Sequence, residues 1–301
     1  MNLNRNILVA LLLLCVGVMV HAQHLGSDYR LKRIIPVMGR QGIAVDEHFY
    51  YVSDSKALYK YDKNGNLLTV NKKPFVELKL NANHIGDIDV WNGELYAGVE
   101  WFDNGGAKNI QIAVFDANTL QFKHAIEWNA VSGQTEVSGI AVDKKRNMVW
   151  MSDWSDSRYV YCYSLETGKY YTKMQCRPTP YWCQGLFIAD SKMLFSADDG
   201  DSTFQIPDCI YCADISYVPY SGIKDGHAAG AIAGKLNLFR EMNDFVRTGE
   251  IEGLSIDPVN DDLVVLNNRG LQIVNGMPKE PYIDEGYSTE IHELYIYEKL
   301  K

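Results

Sequence analysis

The sequence predicts an all-β protein folded as a five-bladed β-propeller with four-stranded blades, and three observations carry that prediction. A glycine-led strand opening recurs five times, further β-type runs follow each opening across turn residues, and helical periodicity is absent after residue 23. The chain of 301 residues is 47% hydrophobic and 22% charged, proportions that allow a full globular core.

The clearest openings are Gly42-Ile43-Ala44-Val45-Asp46, Gly139-Ile140-Ala141-Val142-Asp143 and Gly253-Leu254-Ser255-Ile256-Asp257. Gly86-Asp87-Ile88-Asp89-Val90 and Gly185-Leu186-Phe187-Ile188 are looser copies. Second strands follow at Phe49 to Val52, Leu95 to Val99, Met148 to Met151, Met193 to Phe195 and Leu263 to Leu266. Third strands follow at Leu58 to Asp62, Ile112 to Asp116, Val160 to Ser164, Ile210 to Asp214 and Glu293 to Tyr297. A fourth strand is expected at Phe75 to Leu80, Phe122 to Trp128, Tyr170 to Met174 and Lys235 to Phe239.

The opening glycines stand 44, 53, 46 and 68 residues apart. Six blades is the weaker count, because even the widest gap is too short for two blades of about 40 residues each. The surplus in that gap falls at the Gly/Ala-rich stretch Gly222 to Gly234, which reads as a loop. The last repeat has no fourth strand of its own, whereas Tyr29 to Val37 is a β-type run with no blade. This N-terminal strand is therefore expected to complete the last blade, closing the ring and hiding two edges.

Residues 1–22 have the plan of a secretory signal peptide: Arg5, an apolar run from Ile7 to Val20, then Val20-His21-Ala22 before Gln23. Its 14 apolar residues fall short of the roughly 20 that a spanning helix needs. The expectation is cleavage after Ala22, a single propeller domain over 23–301, secreted or periplasmic, monomeric and not inserted in a membrane. A formal charge of −9 gives no basic footprint, which argues against nucleic acid as a partner. Among Cys162, Cys176, Cys183, Cys209 and Cys212, a disulfide closing the loop from Cys176 to Cys183 is one reading and buried thiols another. Cys209-Ile-Tyr-Cys212 has redox or zinc spacing but lacks a second Cys pair or a nearby His.

Propeller geometry turns the repeat into a site. The loop entering each opening strand shares a face with the loop joining second strand to third, and both sets converge near the channel mouth. The first set supplies Gln41, His84, Glu136, Gln184 and Glu252; the second supplies Asp54, Glu100, Asp153, Asp198 and the pair Asn267-Asn268. Clustered carboxylates repel unless something positive neutralises them. A divalent cation, calcium first, is expected on Asp54, Asp153, Asp198 and Glu252, with a cationic substrate as the alternative. His84 is the candidate catalytic acid or base, since its ordinary pKa lies near neutrality. Gln41, Glu100, Glu136, Trp154, Gln184 and Asn267 are the candidate ligand-binding residues, the Trp offering a flat face to a sugar ring or a cation. No Gly-x-Ser-x-Gly, P-loop, dinucleotide or His-Glu-x-x-His pattern occurs, which removes serine hydrolase, nucleotide and zincin readings.

The run Gly42 to Asp62, with Ser53-Asp54 and Leu58-Tyr59-Lys60-Tyr61-Asp62, resembles the repeat of NHL-type propellers. It is similar also to gluconolactonase-like and esterase-like phytase propellers. The stretch His84 to Glu100, with Asn92-Gly93-Glu94-Leu95-Tyr96, resembles part of the plant-type glutaminyl cyclases. These resemblances imply the fold and leave three functions open. The first is an acidic, cation-containing mouth that binds a small molecule or glycan and works as a metal-assisted hydrolase or lyase. The second is a non-catalytic glycan- or protein-binding propeller. The third is cyclisation of N-terminal glutamine.

Overall fold

Each glycine-led opening forms the innermost strand of a four-stranded blade, because its alternating small and branched side chains fit between two neighbouring sheets. The structure is a computed structural model that describes residues 23–103, 106–201, 204–218, 232–245, 249–269 and 291–301. The signal-peptide segment and most of the Gly/Ala-rich stretch lie outside the described residues.

Strand β1 (Tyr29–Val37) precedes the first blade, which consists of β2 (Gly42–Val45), β3 (Phe49–Asp54), β4 (Ala57–Asp62) and β5 (Leu67–Asn71). Blade 2 consists of β6 (His84–Trp91), β7 (Glu94–Asp103), β8 (Gly106–Asp116) and β9 (Phe122–Glu127). Blade 3 is β10 (Ile140–Asp143), β11 (Met148–Ser152), β12 (Tyr159–Ser164) and β13 (Tyr170–Arg177). Blade 4 is β14 (Cys183–Ala189), β15 (Lys192–Ala197), β16 (Cys209–Asp214) and β17 (Ile232–Glu241). Blade 5 is β18 (Glu250–Ile256), β19 (Leu263–Arg269), β20 (Ile291–Lys299) and, as its outer strand, β1. The chain therefore closes as its sequence implies: Tyr29 pairs with Lys299 at one end and Val37 with His292 at the other.

Five apolar clusters hold the ring, one at each junction of neighbouring blades. Phe115 and Ile88 fill the junction of blades 1 and 2, Trp150 and Phe195 that of blades 3 and 4, and Tyr50 and Leu294 that of blades 5 and 1. At the inner strands, backbone and serine hydrogen bonds pass from blade to blade. Ser53 Oγ donates to Gly86 O (2.8 Å), Asp87 N to Ser138 O (2.7 Å), Ser138 Oγ to Cys183 O (2.7 Å), Ser196 Oγ to Glu252 O (2.6 Å) and Gly253 N to Gln41 O (3.1 Å).

Three expectations are corrected. The fourth strand of blade 1 is Leu67–Asn71, not Phe75 to Leu80. Gly65, at φ 91°, turns the chain straight back into Leu67, leaving Leu78 to pack in the junction of blades 1 and 2. The end of the expected Gly/Ala loop, Ile232 to Gly234, is already strand: β17 runs parallel to β13, with Met174 opposite Ile232. That pairing fuses blades 3 and 4 into an eight-stranded sheet whose end strands, β10 and β14, themselves lie side by side. Finally, all five cysteines are free, and Cys176 and Cys183 are buried thiols in the core between these blades. Burial pushes the Cys183 thiol up to about 12, which makes it unreactive.

Candidate ligand site at the channel mouth

The channel is stopped by one side chain. Asp87, from blade 2, is fully buried, and a methyl group added to Gly42 of blade 1 or Gly253 of blade 5 would collide with its carboxyl. Its Oδ2 accepts from Leu186 N of blade 4 (3.0 Å) and Ile140 N of blade 3 (3.4 Å). A single carboxyl thus touches all four other blades. Glycine is required around it because only a bare Cα lets the strands approach this closely. Burial raises the Asp87 carboxyl well above the usual range, against the backbone N–H groups that pull it back.

Above this plug opens a pocket of about 320 Å³. Every blade contributes to its lining: Gln41 from blade 1, His84 and Glu100 from blade 2, Glu136 and Trp154 from blade 3, Gln184 from blade 4 and Glu252 from blade 5. His84 ends the loop entering β6 and faces Glu100 across the β6–β7 pair. Its Nε2 lies 3.1 Å from Gln41 Oε1, and its Nδ1 lies 3.4 Å from Glu100 Oε1. Gln41 and Glu100 thus flank the imidazole, one at each ring nitrogen. Glu100 is 2% exposed, and burial raises its carboxyl above the ordinary range while the His84 ring pulls it back. Its second oxygen accepts from Val137 N (2.6 Å), which fixes the carboxyl behind the ring. Phe102 packs beside the imidazole with ring centroids 5.9 Å apart.

Glu136 is held by one oxygen, Oε1, which accepts from Trp154 N and Ser155 N at 2.9 Å each. The Trp154 ring stacks at a tilt on Trp182, 4.9 Å between centroids. On the opposite wall Glu252 is 2% exposed, and Asn268 donates to its Oε1 (3.1 Å) and to Glu250 Oε2 (3.4 Å). Burial and the neighbouring Glu250 push the Glu252 carboxyl well up, and Arg40 pulls the other way.

The four residues expected to hold an ion do not form one group. Asp153 is occupied within its own loop: Oδ1 accepts from Thr135 N and Glu136 N (3.0 Å each), and Oδ2 accepts from the Tyr161 hydroxyl (2.9 Å). Burial pushes its carboxyl up to about 6. Asp54 sits in the β3–β4 turn, accepting from Lys56 N (3.4 Å), and does not line the pocket. Asp198 is buried beside Glu252, facing Asp208. No cluster of three or more His, Cys, Asp or Glu side chains suited to a metal ion occurs among the described residues. Of the paired amides it is Asn268 that faces the pocket; Asn267 is buried and donates to Glu250 O (3.4 Å).

Sequence reasoning missed Arg40, Phe102, Glu250 and Asp208. Glu250 had a signal, since it alternates with Glu252 along one strand and so shares its face. Asp208 had none, because its partner Asp198 lies across a loop.

No protein-family model and no curated protein matches this chain. Among solved structures it is similar to one described as the structure of U3-55K, with a TM-score of 0.51 and 11% identity over 89% of this chain and 100% of that one. The likeness is one of fold. A shared propeller at that identity carries no information about what the mouth binds.

Proposed function

We propose that the mouth binds a small polar molecule, a glycan unit being the type case, and that His84 moves a proton on it as a hydrolase or lyase. The observation that carries this reading is the convergence of polar side chains from five blades on one pocket, with His84 held between Gln41 and Glu100. A buried carboxyl behind an imidazole fixes the orientation of the ring toward a substrate hydroxyl. Gln41 and Gln184 orient the ligand, and Trp154 offers it a flat apolar face. The acidic mouth also asks for a positive partner, either a divalent ion such as calcium or a cationic group on the ligand itself. Export through a signal peptide places this chemistry outside the cytoplasm. The resemblance to gluconolactonase-like and esterase-like propellers supports a hydrolase, and that to NHL repeats supports a binding protein.

A turnover screen on lactones, phosphate esters and glycosides tests the proposal, with His84→Ala as control. Loss of about 100-fold or more in kcat is expected in the variant. Turnover equal in both forms overturns the role of His84, and binding without turnover in either form makes the protein a non-catalytic module. A glutamine-initiated peptide in the same screen tests cyclisation, which an unchanged peptide refutes.

A further inference from the structure

The wall of the mouth built by blade 5 carries one buried acceptor that lacks a donor. Asn268 lines the pocket, is 5% exposed and spends its Nδ2 on Glu250 and Glu252, while its Oδ1 has no partner. Beside this wall Asp198, 2% exposed, shares a side-chain hydrogen bond with Asp208 and has Glu250 and Glu252 as further charged neighbours. Asp208 is already engaged by Gly200 N (3.1 Å) and Ile251 N (3.1 Å). Arg40 lines the same pocket and already draws on Glu252, but Asn268 Oδ1 is left without a donor, which is unfavourable in a buried place and which a further positively charged donor beside these carboxyls relieves. Phe102 and Trp154 line the same pocket, and the faces of aromatic rings attract cations.

We propose that the mouth recognises an organic ammonium group, the protonated amine donating to Glu250, Glu252 and Asn268 Oδ1 while the attached carbon frame lies against Trp154. This rests on the mouth being a small-molecule site and names the chemistry it selects. A bare divalent ion is the competing occupant. Calcium needs six to eight oxygens at about 2.3–2.6 Å, and among the described residues no three acidic, His or Cys side chains draw together in that way. An ammonium is satisfied by acceptors in separate directions at about 2.8–2.9 Å, and its carbon atoms use the aromatic wall that a metal ion leaves idle.

The test is titration of the protein with benzylammonium and with its neutral isostere benzyl alcohol, read by calorimetry and tryptophan fluorescence. Benzylammonium is expected to bind about ten-fold or more tightly, and Glu252→Gln and Glu250→Gln are each expected to shrink that preference with little change in melting temperature. Should either variant melt lower, the unaltered protein supplies the second readout, since binding of a cation weakens with added sodium chloride. Equal affinity for the two probes, binding of neither, or affinity indifferent to salt would overturn the ammonium. So would calcium chloride that displaces benzylammonium and itself loses affinity in Glu252→Gln, which would assign the wall to a metal ion. None of these outcomes bears on the His84→Ala comparison, so the ammonium and the proton-transfer reading fail separately.

Discussion

The two ends of the channel bury acidic side chains in opposite ways. At the far end Asp89, two residues beyond the Asp87 plug, accepts from Val142 N (2.8 Å) and Val90 N (2.7 Å) and faces Lys144 at 3.8 Å. Lys144 in turn donates to Gln23 Oε1 (2.7 Å), and Gln23 donates to Ile256 O. Each charge there has a partner within the chain. At the mouth, Asn268 Oδ1 has no hydrogen-bond partner, and four lining carboxylates face Arg40 and a half-buried His84. A closed ring tolerates incomplete satisfaction at one end only because five apolar junctions stabilise it elsewhere. The far end pairs its charges within the chain, and the mouth leaves an acceptor open.

Breaking the ring should erase the difference altogether. Deleting residues 24–37 removes β1, including Tyr29 and Ile35, each 7% exposed, and bares the edge of β20. At about 1.5–3 kcal/mol for each large apolar side chain, those losses approach the whole margin of about 5–15 kcal/mol. Insoluble or aggregated protein is expected; a folded monomer with an unchanged Tm would mean that the ring does not depend on β1.

The plug between the two ends comes next. Asp87→Ala leaves Leu186 N and Ile140 N without their acceptor in a fully buried place, at a cost of about 2–4 kcal/mol. Asp87→Asn keeps an oxygen of the same shape and should recover most of it. Denaturant melts of both variants measure the gap, and equal loss in the two would deny the hydrogen bonds their part.

A matched pair of substitutions then sharpens the contrast. Lys144→Met at the far end leaves Asp89 buried without its cation and should cost about 3 kcal/mol. Glu252→Gln at the mouth removes a carboxyl that its neighbours already repel, so stability should stay within about 0.5 kcal/mol while ligand affinity falls. Similar destabilisation by both would abolish the distinction between the ends.

The smallest effect is pH dependence. Burial raises Asp153 to about 6 and also lifts Asp208, Glu100 and Glu252, so the folded state holds protons that the unfolded chain releases. Stability is therefore complete below the ordinary carboxylate range and falls as pH rises toward the raised values. The loss is about 1.4 kcal/mol for each tenfold by which folding strengthens a group's hold on its proton. Melting should be higher at about pH 5 than at about pH 8, and Asp153→Asn should flatten that slope. A Tm that rises toward pH 8 would contradict the upward shift of these carboxyls by burial.

Much of the fold and of the mouth is legible in the amino-acid sequence. The repeat locates all five inner strands and the closing role of β1, because a blade's alternation and its turn residues are local properties. Loop topology also puts Gln41, His84, Glu100, Glu136, Trp154, Gln184 and Glu252 on one mouth. The failures share a cause. Asp54 and Asp153 resemble ligands because their type and loop position match, yet Asp153 is satisfied by Thr135, Glu136 and Tyr161 and serves to position Glu136. Turn propensity and ligand propensity belong to the same residue types. Asp87 does carry a signal: it stands where the other four openings have Ile43, Ile140, Leu186 and Leu254, and a charge in an apolar repeat position marks a place where the pattern is broken for a reason.

The sequence by itself determined how many blades this protein has, how they follow one another and which loops meet, because period, alternation and turn chemistry act over a few residues at a time. Only the tertiary structure decided which of those polar side chains are spent and which are left open. Whether a carboxyl such as Asp198 finds a donor depends on Asp208 and Glu252, ten and more than fifty residues away, and on the exclusion of water that the closed ring enforces.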